Sequence, residues 1–300
     1  MFDKIIGNDK IKEMLYKSVK DKKTSHSYLF VGIEGIGKKE IAKEFAKMLL
    51  CINDNKYCNT CKSCIEFDSN NNPDFLYIEP DGNSVKIEQI RYIQRKIQEK
   101  PIISNKKVYI INDADKMTTE AQNCLLKTLE EPPEYSTIIL IGSNENMFLS
   151  TIKSRCMIIH FSKIEDEKIR KYLEEKYELK DISTNMLEIF QGSIGKAILL
   201  KDKKEQYEKI ELIIKSLRQK SIIDILNMSE ILYKSKEEIF DILEYINVIL
   251  IKLARTDYEY IKCINIVEDT KTRLKQNANY DMSIDNMLFN MWEDVNWKIS

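Results

Sequence analysis

The stretch Phe30-Val31-Gly32-Ile33-Glu34-Gly35-Ile36-Gly37-Lys38-Lys39 constrains this chain more than any other, because it sets a glycine-rich turn between an apolar strand signal and an amphipathic helix signal. Gly32, Gly37 and Lys38 keep the G-x-x-x-x-G-K spacing of a phosphate-binding loop, and Gly35 is a further small residue inside it. Small residues let backbone N–H groups wrap phosphate oxygens while the lysine neutralises their charge. The next residue ordinarily offers a hydroxyl to Mg²⁺. Here it is Lys39, so the loop is a strong marker of fold and a damaged marker of catalysis.

The flanks supply the context such a loop needs. Ile11, Met14, Leu15 and Val19 predict a helix over 9–19, and His26 to Phe30 a first strand. After the loop, Ile41, Ala42, Phe45, Ala46 and Leu49 give a helix one apolar face, with its N-terminal amides directed at a bound phosphate. Apolar strands at 75–78, 107–112, 137–142 and 157–161 then alternate with helical patterns. One of these is Ile87, Ile90, Ile93 and Ile97; the other is Ala121, Leu125, Leu126 and Leu129, opened by a Thr119/Gln122 capping box. This alternation predicts an α/β domain with a parallel sheet covered by helices on both faces. From Lys163 onward the pattern is helical only, interrupted by a charged hinge at 201–205, and the scarcity of Gly (8) and Pro (5) agrees with a helix-rich chain.

Lys39 is not the sole departure around the loop. The strand at 107–112 ends on Asn112, where a Mg²⁺-binding Asp is expected, and Asp113 stands in the place of a catalytic Glu with a shorter reach. Ser143-Asn144 closes the following strand with polar side chains at the same sheet edge. The candidate nucleotide contacts are therefore Gly32, Gly35, Gly37, Lys38, Lys39, Asn112, Asp113 and Asn144.

Cys51, Cys58, Cys61 and Cys64 fall within fourteen residues, spaced x6, x2 and x2. Four thiolates at such spacing suit a closed tetrahedral Zn²⁺ site with a structural role, since no coordination position is left open for substrate. An iron–sulfur cluster fits less well, because the fourth Cys followed by Pro is missing. The 47 basic and 48 acidic residues leave a formal charge of -1, which makes no case for a freestanding nucleic-acid binder. The first four residues carry no secretory signal and no eighteen apolar residues run together, so a cytoplasmic protein without a membrane partner is expected. His160 is expected to be satisfied in a buried strand, and Cys263 to be a buried thiol. Trp292, Trp297, Tyr233 and Tyr245 are expected to serve as helical core or subunit interface.

Several stretches carry a family likeness. They are Ile5-Ile6-Gly7-Asn8, His26-Ser27-Tyr28-Leu29-Phe30, the four-cysteine module, Cys124-Leu125-Leu126-Lys127-Thr128-Leu129-Glu130-Glu131-Pro132-Pro133 and Ser154-Arg155-Cys156. Through them the chain resembles the delta-prime family of clamp-loader subunits of bacterial DNA polymerase III, within the AAA+ group. The resemblance implies an AAA+ domain over 1–163 with the zinc module at 51–64, a helical lid over 164–203 and a helical collar over 204–300 that joins five subunits in a ring. It implies gamma/tau and delta types as partner subunits, and contact with the sliding clamp and primer-template DNA through the complex.

In such loaders the Arg of Ser-Arg-Cys reaches the ATP site of the adjacent subunit, so Arg155 would be an arginine finger in trans; taken alone, it would be read as pairing with a surface carboxylate. Active loader ATPases carry Ser or Thr after the loop lysine, Asp at the strand end and an Arg in the lid motif. This chain has Lys39, Asn112 and Gly195 there. The expectation is a subunit that does not hydrolyse ATP, holds ATP or ADP weakly or not at all, and helps load the clamp. The alternative is an active gamma/tau-like motor subunit with unusual Mg²⁺ ligation.

Overall fold

The computed structural model describes residue 2, residues 5–53 and residues 57–296, so Trp297 and the opening residues 1, 3 and 4 lie outside the described residues. The chain divides into two compact units, Met1–Lys168 together with Ser193–Gly195, and Ile169–Gly192 together with Lys196–Ser300.

The first unit contains α1 (Asp9–Lys20), β1 (Ser27–Val31), α2 (Lys38–Leu50), α3 (Lys62–Asp68), β2 (Phe75–Ile78), α4 (Ile87–Ile97) and β3 (Lys107–Ile111). It continues with α5 (Thr119–Glu130), β4 (Ser136–Gly142), α6 (Ser150–Lys153) and β5 (Met157–His160). The five strands form one parallel sheet in the order β2-β3-β4-β1-β5. β1, β3 and β4 are buried along their whole lengths, which is why they read as unbroken apolar runs rather than alternating ones. On one face Leu29, Tyr109, Ile111 and Leu140 pack with Ile90, Ile93 and Ile97 of α4 and with Leu125 and Leu129 of α5. On the other, Tyr28 meets Phe45 of α2 edge-on, ring centroids 5.1 Å apart. Each fully buried Ile, Leu or Phe stabilises by roughly 1.5–3 kcal/mol, so the sheet is held mainly from its two apolar faces.

Two buried charges fix the connection between α4 and β3. Lys107, 3% exposed, donates from Nζ to the carbonyls of Lys96 (2.9 Å) and Glu99 (3.1 Å) at the end of α4. The carboxylate of Asp74 accepts the amides of Ile102, Ile103 and Ser104 at 2.7–2.8 Å. α3 is tied to the same connection, since Ser63 Oγ lies 2.9 Å from Ser104 Oγ, and Asn72 Nδ2 donates to the Ser63 carbonyl at 2.9 Å.

Two local expectations are corrected. Thr118, not Thr119, caps α5, accepting the Ala121 amide at 3.2 Å from an extended backbone. Gln122 is not part of a capping box; it is buried, donating to the Met147 carbonyl and accepting the Leu149 amide, both at 2.9 Å. His160 is exposed rather than buried, because β5 is an edge strand, and its Nε2 lies 2.7 Å from Glu145 Oε2. That hydrogen bond holds Glu145 below the usual carboxylate range.

The second unit is helical, with α7 (Asp166–Tyr177) and α9 (Ile194–Leu200), which both straddle the boundary, α8 (Thr184–Phe190), α10 (Lys204–Lys215), α11 (Ile222–Met228), α12 (Glu230–Tyr233), α13 (Ile239–Ala254), α14 (Tyr260–Lys275) and α15 (Tyr280–Asn296). Tyr207 and Tyr245 stack edge-to-face at 4.8 Å in its core, and the Tyr245 hydroxyl donates to Glu211 at 2.7 Å. Cys263 is fully buried, Tyr233 donates to Asp285, and Trp292 Nε1 donates to the Lys220 carbonyl at 2.9 Å. No helix among the described residues is long and apolar enough to cross a membrane.

Candidate functional site

The phosphate loop joins the carboxyl end of β1 to the start of α2. Gly37, at φ +89°, is the N-cap of α2, a left-handed conformation that glycine adopts without cost. Gly32 is closely packed, since a Cβ there would lie 2.7 Å from Ile36 Cδ1 and 3.0 Å from the Phe161 carbonyl oxygen, so a side chain would require these neighbours to shift. Gly35, at φ +73°, is covered by the Ser193–Gly195 segment of the same unit. The Gly195 amide donates to the Gly35 carbonyl at 2.8 Å, and a Cβ on Gly195 would lie 2.8 Å from Gly35 Cα. The position where the resemblance predicts a lid arginine is thus one where a side chain does not fit.

Lys38 turns back onto its own loop. It is 7% exposed and its Nζ donates to the carbonyls of Gly32 and, at 2.7 Å, Ile33. Burial lowers its pKa, while the carboxylates of Glu34, Asp115 and Asp113 act in the opposite sense. Lys39 points away from the loop: its Nζ lies 2.8 Å from Glu79 Oε1 and 4.9 Å from the centroid of Tyr77. That ammonium is the first cause of a Glu79 pKa below the usual carboxylate range.

The other candidate residues gather at the same carboxyl edge of the sheet. Asn112 follows β3, its amide donating to the Ile78 carbonyl at 2.9 Å. Asp113 adopts a left-handed backbone (φ 46°) and its carboxylate pairs with Lys116 at 3.0 Å. Asn144 caps a short 3₁₀ turn with its side chain, accepting the Asn146 amide at 3.0 Å. What draws these ends together is Asp115. It is 7% exposed, and its Oδ2 accepts the Ser143 amide (2.9 Å), the Ser143 hydroxyl (2.8 Å) and the Asn144 amide (3.0 Å). The sequence assigns Asp115 no catalytic role and shows it only as a second acid two residues after Asp113 at a strand end, with no partner identifiable.

Arg155 lies elsewhere. It precedes β5, and the register pairs Met157 with Tyr28 near the start of β1, whereas the phosphate loop begins at Gly32, past that strand's other end. Four residues of strand span roughly 13 Å, so Arg155 and the chain's own loop lie at opposite ends of these two strands. The guanidinium is one-third exposed; its Nη2 pairs with Glu130 Oε1 at 2.7 Å, and its Nη1 donates to the Thr151 carbonyl at 2.9 Å and the Ser154 hydroxyl at 3.2 Å. Glu130 lies in one of the stretches that carry the family likeness, but its partner is not identifiable from the sequence.

The four cysteines do come together, their Sγ atoms all within 4.8 Å of one another. Zn–S bonds of about 2.3 Å in a tetrahedron place sulfurs about 3.8 Å apart; Cys51 and Cys58 stand at 3.8 Å, Cys51 and Cys61 at 4.0 Å. Cys51 directly follows α2, Cys61 directly precedes α3 and Cys64 lies in its first turn. Hydrogen bonds from Thr60 lower the Cys58 pKa to about 5, whereas burial pushes Cys64 up to about 12 and also raises Cys51. Four sulfurs at these separations are a donor set that a divalent cation would complete, since coordination deprotonates a thiol outright. The geometry fits a zinc ion.

Comparison with known proteins gives four likenesses. A family model described as DNA polymerase III, delta subunit, matches residues 7–165. The DNA polymerase III subunit delta' of Bacillus subtilis is 33% identical over 210 residues, 69% of this chain and 63% of that protein, and the subunit tau/gamma of Haemophilus influenzae is 32% identical over 209 residues, 67% of this chain and 30% of that protein. The match thus spans less than two thirds of either relative. A crystal structure of a gamma subunit-related protein from Thermotoga maritima superposes with a TM-score of 0.49 at 20% identity, covering 95% of this chain and 98% of that one.

Proposed function

The chain belongs to the DNA polymerase III delta-subunit family, and from that premise we propose that it is a non-hydrolysing, delta-prime-type clamp-loader subunit whose Arg155 acts in the nucleotide site of a neighbouring subunit. One observation carries the reading: Arg155 and the phosphate loop stand at opposite ends of two adjacent parallel strands. A guanidinium there cannot serve its own loop, but it can offer fixed donors to charge developing on the terminal phosphate of an adjacent chain's nucleotide.

The loop itself supports the same reading. Lys39 supplies an ammonium tied to Glu79 where a hydroxyl would ligate Mg²⁺, Asn112 brings no negative charge, and Asp113 is paired with Lys116. With Lys38 turned onto the Gly32 and Ile33 carbonyls and Gly35 covered by Gly195, a nucleotide would be held weakly, through Gly32, Gly35, Gly37, Lys38 and Asn144, or not at all. Cys51, Cys58, Cys61 and Cys64 would hold a structural Zn²⁺ that closes the loop between α2 and α3.

In this proposal residues 1–163 form the AAA+ body, 164–203 a lid and 204–300 the collar. Gamma/tau and delta types are the partner subunits in a cytoplasmic five-membered ring that loads the sliding clamp onto primed DNA.

The tau/gamma relative at 32% identity favours a second reading, an autonomous loader ATPase. Phosphate release by the purified chain, with Lys38→Ala as control, separates the two. The proposed function predicts no turnover by the lone chain, and a loss of DNA-stimulated ATPase in a loader reconstituted with Arg155→Ala. Unchanged activity of that loader would refute it.

A further inference from the structure

We propose that Glu130 is a positioning residue for Arg155, its carboxylate holding the guanidinium in one orientation before a neighbour's phosphate arrives; this rests on the trans role of Arg155 given above. Glu130 is the last residue of α5, and Arg155 follows the last residue of α6 by two. The 2.7 Å ion pair between them fixes Nη2, while the Thr151 carbonyl and the Ser154 hydroxyl fix Nη1. A guanidinium carries five N–H donors, so donors remain for an incoming anion.

Two observations point to this role rather than to one in stability. A carboxylate at a helix C-terminus faces the negative end of the macrodipole, where it is disfavoured, so α5 gains nothing by ending on Glu130. The partners are also 33% and 49% exposed, and a pair so open to solvent contributes little to folding. What the pair does is restrict a side chain that would otherwise sample many rotamers, while leaving the remaining guanidinium N–H groups for the phosphate. Ordering that side chain in advance lowers the cost of engaging the phosphate.

The test is a double-mutant cycle in the reconstituted loader, reading DNA-stimulated ATPase as kcat and KM. Glu130→Gln is expected to lower kcat roughly two- to fivefold with KM unchanged, the scale of an exposed ion pair. In an Arg155→Ala background the same substitution is expected to have no further effect, because Glu130 acts only through Arg155. An equal loss in both backgrounds would mean a structural role and overturn the proposal. An unchanged or increased kcat for Glu130→Gln, beside a large loss for Arg155→Ala, would overturn it too while leaving the trans role of Arg155 intact. No loss for Arg155→Ala would remove both.

Discussion

The amide of Gly195 donates to the carbonyl of Gly35 across 2.8 Å, and the two residues approach so closely that a Cβ on either would collide with the other's Cα region. Gly35→Ala therefore meets two penalties. A side chain at φ +73° costs about 1–2 kcal/mol, and the new Cβ would lie 2.2 Å from Ser193 Oγ, so that segment must shift as well. Urea unfolding is expected to show a loss of at least about 1 kcal/mol; full stability in Gly35→Ala would mean that the contact does not form in solution.

Asp115 holds the ends of β3 and β4 together through one oxygen that serves three donors. Asp115→Ala leaves the Ser143 and Asn144 amides without their acceptor, a loss of about 2–3 kcal/mol for charge-assisted bonds at a buried site. Denaturant midpoints check this. A change below about 0.5 kcal/mol would show that water replaces the carboxylate at no net cost.

Metal analysis of the intact protein is expected to give about one zinc per chain, the content of a four-thiolate site. Cobalt substitution should produce the intense visible bands of tetrahedral thiolate ligation, and a chelator should lower the melting temperature. Iron, or no metal at all, would refute the assignment of Cys51, Cys58, Cys61 and Cys64.

Burial pushes Cys156 up to about 12. Below about 7.5, a unit under the ordinary thiol pKa of about 8.5, the group is neutral in both folded and unfolded chains and stability is unaffected. Above that pH the unfolded chain releases its proton and the folded chain does not, so stability falls as pH rises toward 12. Cys156→Ala removes this share. Its stability at pH 10, relative to its own value at pH 7, is expected to drop less than that of the wild-type chain; equal drops would show that Cys156 ionises freely in the fold.

The strands and the loop were legible because their signals are local. β1, β3 and β4 are unbroken apolar runs, and a buried parallel strand has no polar face to interrupt it. The spacing of four cysteines likewise placed their sulfurs together. The misreadings arose where tertiary context chooses between neighbours. Thr118 and Thr119 are equal as caps in sequence, and the backbone entry into α5 selects the first. His160 looked buried because its strand is apolar, but the sheet order puts that strand at an edge. The partners of Asp115 and Glu130 were hidden for a further reason. Their partners lie 28 and 25 residues away in the chain, and no periodicity connects a helix end to a turn across an intervening strand.

Lys107 ends α4 from outside the helix. Because a strand lysine captures the carbonyls of Lys96 and Glu99, while Asp74 gathers the amides of residues 102–104, the span between helix and strand is fastened at both ends to the sheet. That span acts as a brace rather than a hinge, and the helix cannot lengthen or shorten by a turn without unseating a buried ammonium.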